Sequence, residues 1–142
     1  MAISEELKAK VREELPEVEE ISDSDLRGKV VEAWATALDR SSFGAISEIK
    51  PSGNPDTRPL KRGTQADHIR GVTRLAMAMA DEMNAMFPEL KIDRDILIAG
   101  GLCHDVGKPW EFDPENQKRW KASSRTAGLP SIRQPAYGVQ IC

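Results

Sequence analysis

Leu102-Cys103-His104-Asp105-Val106-Gly107-Lys108-Pro109 closes the most apolar run of the chain. The run itself, Ile96-Leu97-Ile98-Ala99-Gly100-Gly101-Leu102-Cys103, carries no charge. A segment without a polar face reads as a central, buried helix. Asp93 is placed to cap its N-terminus. Gly107 reads as its C-cap, and Pro109 bars continuation. Gly100 and Gly101 cost helix propensity, roughly 1 kcal/mol each relative to Ala, and permit close approach by another helix. Two ionisable side chains, His104 and Asp105, therefore end the most buried element. Burial of that kind requires pairing or a metal.

His104 is one of two histidines in the chain. The other, His68, lies near the start of the preceding helical pattern. Thr64-Gln65-Ala66-Asp67 has the form of a capping box, and the helix it opens is expected to run to about Phe87, ahead of Pro88. His68, Val72, Leu75, Met79, Met83 and Met86 recur at spacings of four and three, which predicts one inward stripe. The methionines read as core filling. On this reading His68 faces His104 across two antiparallel helices. Two imidazole nitrogens and a carboxylate oxygen suit Zn, Fe, Mn, Co or Ni. Three protein ligands leave positions open for water and substrate.

Working outward, Ile3, Leu7, Val11 and Leu15 recur every four residues and predict an amphipathic helix stopping near Pro16. Glu14, Glu17, Glu19 and Glu20 read as a solvated acidic face. Residues 22–25 offer several N-caps for a second helix, with Leu26, Val30, Ala33, Trp34, Ala37 and Leu38 on its apolar side. Residues 41–63, broken by glycines and prolines, read as one long loop. Arg58, Lys61 and Arg62 give its end a positive charge, either as solvated loop charge or as an anion-binding rim. Past Pro109 the chain reads as a polar surface segment pinned by Trp110 and Trp120. A last helix over 132–142 tolerates Pro135 in its first turn. Its apolar ending favours self-association.

A length of 142 residues indicates one domain, and 39% hydrophobic with 30% charged residues indicates a globular chain. A net charge of −3 gives no electrostatic case for nucleic acid or an anionic membrane as the main partner. Cys103 and Cys142 do not make a disulfide framework, and Cys103 is expected as a buried reduced thiol. The acidic N-terminus has no apolar signal core. No apolar run approaches the ~18 residues that span a bilayer. A cytoplasmic location is the default expectation.

The arrangement of His68 on one helix, then His104-Asp105 followed by Val106-Gly107-Lys108, resembles the HD superfamily of metal-dependent phosphohydrolases. The likeness covers roughly residues 64–142. It implies an all-α, HD-domain-like helical bundle. Residues 1–63 would then be an N-terminal helical extension with a long loop, packed on the 64–142 core. The resemblance makes His68, His104 and Asp105 ligands of one divalent metal ion, with Asp105 also orienting or activating water. Lys108 would stabilise phosphate or support the site. Arg62 and, at a surface position, Arg70 are further candidates for the phosphoryl charge. The implied function is hydrolysis of a phosphomonoester or phosphodiester of a small phosphorylated substrate. The alternative is a non-catalytic, self-associating helical module, and a homodimer or higher homo-oligomer is expected.

The chain departs from the family pattern in two ways. It has no further histidine, which argues against a two-metal site and against oxidative di-iron chemistry. Gln134 stands where several relatives carry one. The family's final aspartate, on a later helix, has no counterpart after Asp105 except Asp113, which is too close. A shortened form of a longer family member is expected.

Overall fold

The computed structural model describes residues 3–51, 62–128 and 132–142. Its architecture is all-α, with no strand among the described residues. Helix α1 (Glu5–Glu14) is capped by Ser4, whose hydroxyl accepts from the Leu7 amide. It ends before Pro16, where a 3-10 turn covers Pro16–Glu20. Helix α2 (Ser24–Asp39) is capped by Asp23, and a second 3-10 turn spans Ile46–Glu48. Helix α3 (Gln65–Met86) opens with the full reciprocal capping box of Thr64 and Asp67. A third turn, Pro88–Leu90, leads to α4 (Arg94–Cys103), capped by Asp93. Short helices α5 (Lys108–Phe112), α6 (Pro114–Lys121) and α7 (Ser124–Ala127) follow, and α8 (Gln134–Ile141) carries Pro135 in its first turn.

The centre of the fold is the crossing of α3 and α4, with α2 against α4 on the other side. Gly101 makes the crossing possible. A Cβ there would lie 2.9 Å from Thr73 Oγ1 and 3.2 Å from Thr73 Cα. Trp34 of α2 is fully buried and donates its indole N–H to the Leu102 carbonyl at 2.8 Å. This bond ties the last turn of α4 to the core.

Several expectations are corrected. Helix α3 turns Ile69, Thr73, Met77 and Ala80 into the core. The stripe Val72, Leu75, Met79, Met83 and Met86 faces outward, with Leu75 and Met79 each 69% exposed. Both faces of α3 are apolar enough to pack, so periodicity alone selects neither. Helix α4 is not buried on all sides, since Ile96 is 60% exposed. The acidic turn is only partly solvated. Glu14 accepts from the Ile46 and Ser47 amides. Glu17 is buried and accepts from Arg70 and Arg74 of α3. Arg70 is thus a structural ion-pair partner rather than a plain surface charge.

The stretch after Pro109 is not a polar surface segment. Glu111 and Trp120 are buried, and Arg133, also buried, lies over the Trp120 ring at 4.1 Å. Pro109 starts α5 instead of merely ending a helix, because a proline in a first turn gives up an amide that has no helical acceptor. Gly107 has φ −81°, so it is not a left-handed cap. It is needed because a Cβ would lie 2.1 Å from the Gln134 carbonyl oxygen. Cys103 is half-buried. A hydrogen bond with the Cys142 thiol, together with burial, pushes its pKa up, while that of Cys142 is drawn down to about 7. The two cysteines line one groove between α2, α4 and α8. No helix among the described residues is long and apolar enough to cross a membrane.

Candidate metal centre

His68 stands in the first turns of α3, and His104 is the C-cap residue of α4, with Asp105 following. The end of α4 is built by satisfying its carbonyls, which a helix terminus leaves without intrahelical donors. The Gly101 carbonyl faces His104 Nδ1 at 2.7 Å, and the Leu102 carbonyl accepts from Trp34. The Cys103 carbonyl accepts from the Val106 amide, and the Asp105 carbonyl from the Lys108 amide. The His104 carbonyl accepts from the buried Gln134 side chain at 2.8 Å. The tight turn over 104–107 is therefore held on every side, and Asp105 is rotated back toward α3.

Three donor atoms converge as a result. His68 Nε2 and Asp105 Oδ2 are 3.4 Å apart, and His104 Nε2 lies 3.6 Å from the same oxygen. The two Nε2 atoms are 3.4 Å from each other. These are the edges that donors about 2.0–2.2 Å from a common ion make around a tetrahedral centre. His104 Nδ1 sits on a carbonyl, which can only accept, so the ring proton belongs there and Nε2 presents its lone pair. The donor set is thus two imidazoles and one carboxylate, all aimed at one point and electron-rich. A divalent cation fits it. The His68 and His104 side chains are 42% and 34% exposed and Asp105 is 15% exposed, so the centre opens to solvent on the histidine side.

Gln65 was not found from the sequence as a site residue. It is 1% exposed and donates its amide to Asp105 Oδ2 at 2.6 Å, the oxygen that faces both histidines. Its backbone amide is anchored to the Ile49 carbonyl. The available signal was its place three residues before His68, one turn away on α3.

The remaining sequence candidates lie differently. Lys108 is buried and donates to Glu111 Oε2 at 2.9 Å, while Glu111 Oε1 accepts from Arg133 at 3.0 Å. Arg62 is exposed, just before the Thr64 cap of α3. Lys61 and Arg58, the rest of the expected basic rim, lie outside the described residues. Asp113 caps α6 and accepts from the Ser42 amide. Burial raises its pKa, but these amides outweigh burial and leave it below the ordinary value.

Residues 66–134 match the HD domain family. The chain is also 33% identical over 98 residues to the dihydroneopterin 2',3'-cyclic phosphate phosphodiesterase of Methanocaldococcus jannaschii. That match covers 66% of this chain and 39% of the relative, so the chain spans well under half the length of the protein it resembles. No solved structure matches the chain. The family match encloses the His-His-Asp triangle at the crossing of α3 and α4, and residues 66–134 of the chain are an HD domain.

Proposed function

We propose that this chain is a metal-dependent phosphohydrolase that uses His68, His104 and Asp105 to hold one divalent ion: Mn, Fe, Ni, Co or Zn. The observation that carries the reading is the convergence of His68 Nε2, His104 Nε2 and Asp105 Oδ2 within 3.4–3.6 Å of one another. A divalent ion bound there supplies Lewis acidity, polarising a phosphoryl oxygen and making water nucleophilic near neutral pH. The chain's own groups prepare the place. His104 keeps its proton on Nδ1, against the Gly101 carbonyl, and so keeps Nε2 free. Gln65 orients the Asp105 carboxylate. Three protein ligands and an open, solvent-facing side leave room for substrate and water.

The substrate is a small phosphate ester, and the relative's name favours a cyclic phosphodiester. Arg62, exposed at the start of α3, is the cation we assign to the substrate phosphate. Of the two roles implied for Lys108, its burial against Glu111 supports the structural one, an ion pair within α5 that Arg133 joins from outside the helix. We take residues 64–142 as the HD-like unit, with the segment before it packed on this core.

The test is metal analysis of purified protein, followed by hydrolysis of a 2',3'-cyclic nucleotide and of bis(p-nitrophenyl) phosphate with added Mn or Ni. Stoichiometric metal and cleavage that both disappear in His104→Ala support the reading. Absence of metal, with both esters intact, overturns it and leaves a non-catalytic, self-associating module. One observation favours that second reading: the outward face of α3 is apolar and uncovered.

A further inference from the structure

Gln134, Gly138 and Cys142 recur at intervals of four and share one face of the last helical segment. They meet the end of α4 one after another. Gln134 donates its side-chain amide to the His104 carbonyl at 2.8 Å. Gly138 passes close to the following turn, where a Cβ would lie 3.3 Å from Val106 Cγ1 and 3.7 Å from the Gly107 nitrogen. The next turn is closed by the Cys142 amide on the Gly138 carbonyl at 3.0 Å. It brings the Cys142 thiol to the Cys103 thiol, and the two share a hydrogen bond. Both cysteines line the same two hollows: the groove of about 570 Å³ between α2, α4 and α8, and a pocket of about 250 Å³ beside His104. Packing of one helix face thus sets two residues distant in sequence thiol to thiol. We propose that Cys103 and Cys142 are a reversible dithiol–disulfide pair, a modification site oxidised by a low-molecular-weight disulfide such as oxidised glutathione.

Exposure assigns the order of events. Cys142 is exposed and Cys103 half-buried, so the Cys142 sulfur meets the small disulfide first. It attacks one sulfur, the small S–S bond breaks, and one small thiol leaves with the proton that Cys142 gave up. Cys142 then carries a mixed disulfide. The Cys103 sulfur attacks Sγ of Cys142, and the second small thiol leaves with the Cys103 proton. Two protein thiols are oxidised to one disulfide, and one small disulfide is reduced to two thiols. Exchange with excess thiol runs the same steps backwards. An exposed thiol with a second thiol in reach to resolve it is the arrangement of reversible redox cysteines.

The bond fastens α8 to the residue immediately before His104, adding a covalent tie to the one that Gln134 already makes. It needs neither a bound metal nor phosphoester hydrolysis, so the inference stands apart from the proposed activity.

The test incubates the reduced full chain, freed of reductant, with excess oxidised glutathione. Intact mass and thiol counting after denaturation follow the reaction. Both thiols should vanish together, the mass should fall by two hydrogens, and the Cys103 and Cys142 peptides should be recovered linked from a species of single-chain mass. Dithiothreitol should restore both thiols. Cys103→Ser should stop at the mixed disulfide, with one glutathione on Cys142. Cys142→Ser should leave Cys103 reacting more slowly than Cys142 does in the Cys103→Ser chain. The oxidised form should melt roughly 10 °C above the reduced one, the scale expected when a cross-link closes a loop of about forty residues in a chain of this size. Two thiols that stay free, a glutathione held on each cysteine, or linkage only between separate chains would overturn the proposal. So would an oxidised form that melts below the reduced one, because the native packing would then not hold the sulfurs within bonding reach.

Discussion

Two charged clusters lie within a few residues of each other, and they are built on opposite plans. In the first, Glu111 is 1% exposed and held between Lys108 and Arg133. In the second, Asp105 faces His68 and His104, both substantially exposed. The first cluster brings its own positive charge and is closed to water. The second brings one carboxylate and two imidazoles, one of which is fixed as an acceptor at Nε2. Its donors suit a cation from outside. A third cluster, Glu17 with Arg70 and Arg74, also brings its own positive charge, on the same helix that carries His68, with the carboxylate buried and the Arg74 side chain 59% exposed. Residue type alone does not separate a structural ion pair from a metal site. The sign of the charges that converge, and whether water reaches them, does.

The comparison is tested most severely at Glu111. Glu111→Ala leaves Lys108 and Arg133 buried without their carboxylate, and loss of one partner from a buried pair costs about 3–5 kcal/mol. Urea unfolding should show a midpoint shift of that size. A shift below about 1 kcal/mol would place this network among weak surface ion pairs.

His68→Ala and His104→Ala should have the opposite signature. Each should cost more in metal affinity than the roughly 10–100-fold typical of residues that support ligands, with thermal stability of the metal-free protein nearly unchanged. Calorimetric titration with Zn or Mn reads the first quantity and a melting curve the second. Gln65→Ala should fall between the two clusters, lowering metal affinity by roughly 10–100-fold while all three ligands remain. An affinity equal to wild type would remove Gln65 from the site.

The smallest effect concerns the seam between the N-terminal turn and α4. The Ser22 and Asp23 amides donate to Asp95 and hold its carboxyl below the ordinary 3.8. A carboxylate with a lowered folded pKa stabilises the fold above its unfolded pKa, and this contribution is lost as pH falls through the folded pKa. Asp95→Asn should therefore lower stability modestly at neutral pH, where the contribution is fully present, and flatten the acid limb of a stability–pH profile below about pH 4, where the wild type loses it too. An unchanged acid limb would show that these two amides do not tune Asp95.

Much of the site was legible in the chain itself. His68, His104 and Asp105 stand out because ionisable residues at the ends of apolar helices need a reason to be there. The Thr64–Asp67 box and the Asp93 cap could also be read directly, because capping is local in sequence. Gln65 could not, since its role depends on Asp105 forty residues away. Glu17 likewise read as solvated because its partners, Arg70 and Arg74, are more than fifty residues distant.

Sequence determined the all-α class, the helix starts and the three converging candidate residues, because caps, periodicity and breakers act over a few residues. Only the tertiary structure decided which face of α3 is core. Both faces are apolar, and the choice rests on Gly101 admitting Thr73 at the α4 crossing and on Arg70 and Arg74 reaching Glu17. Those are contacts between distant segments. They turned the expected inner stripe outward and left it beside an open candidate metal centre.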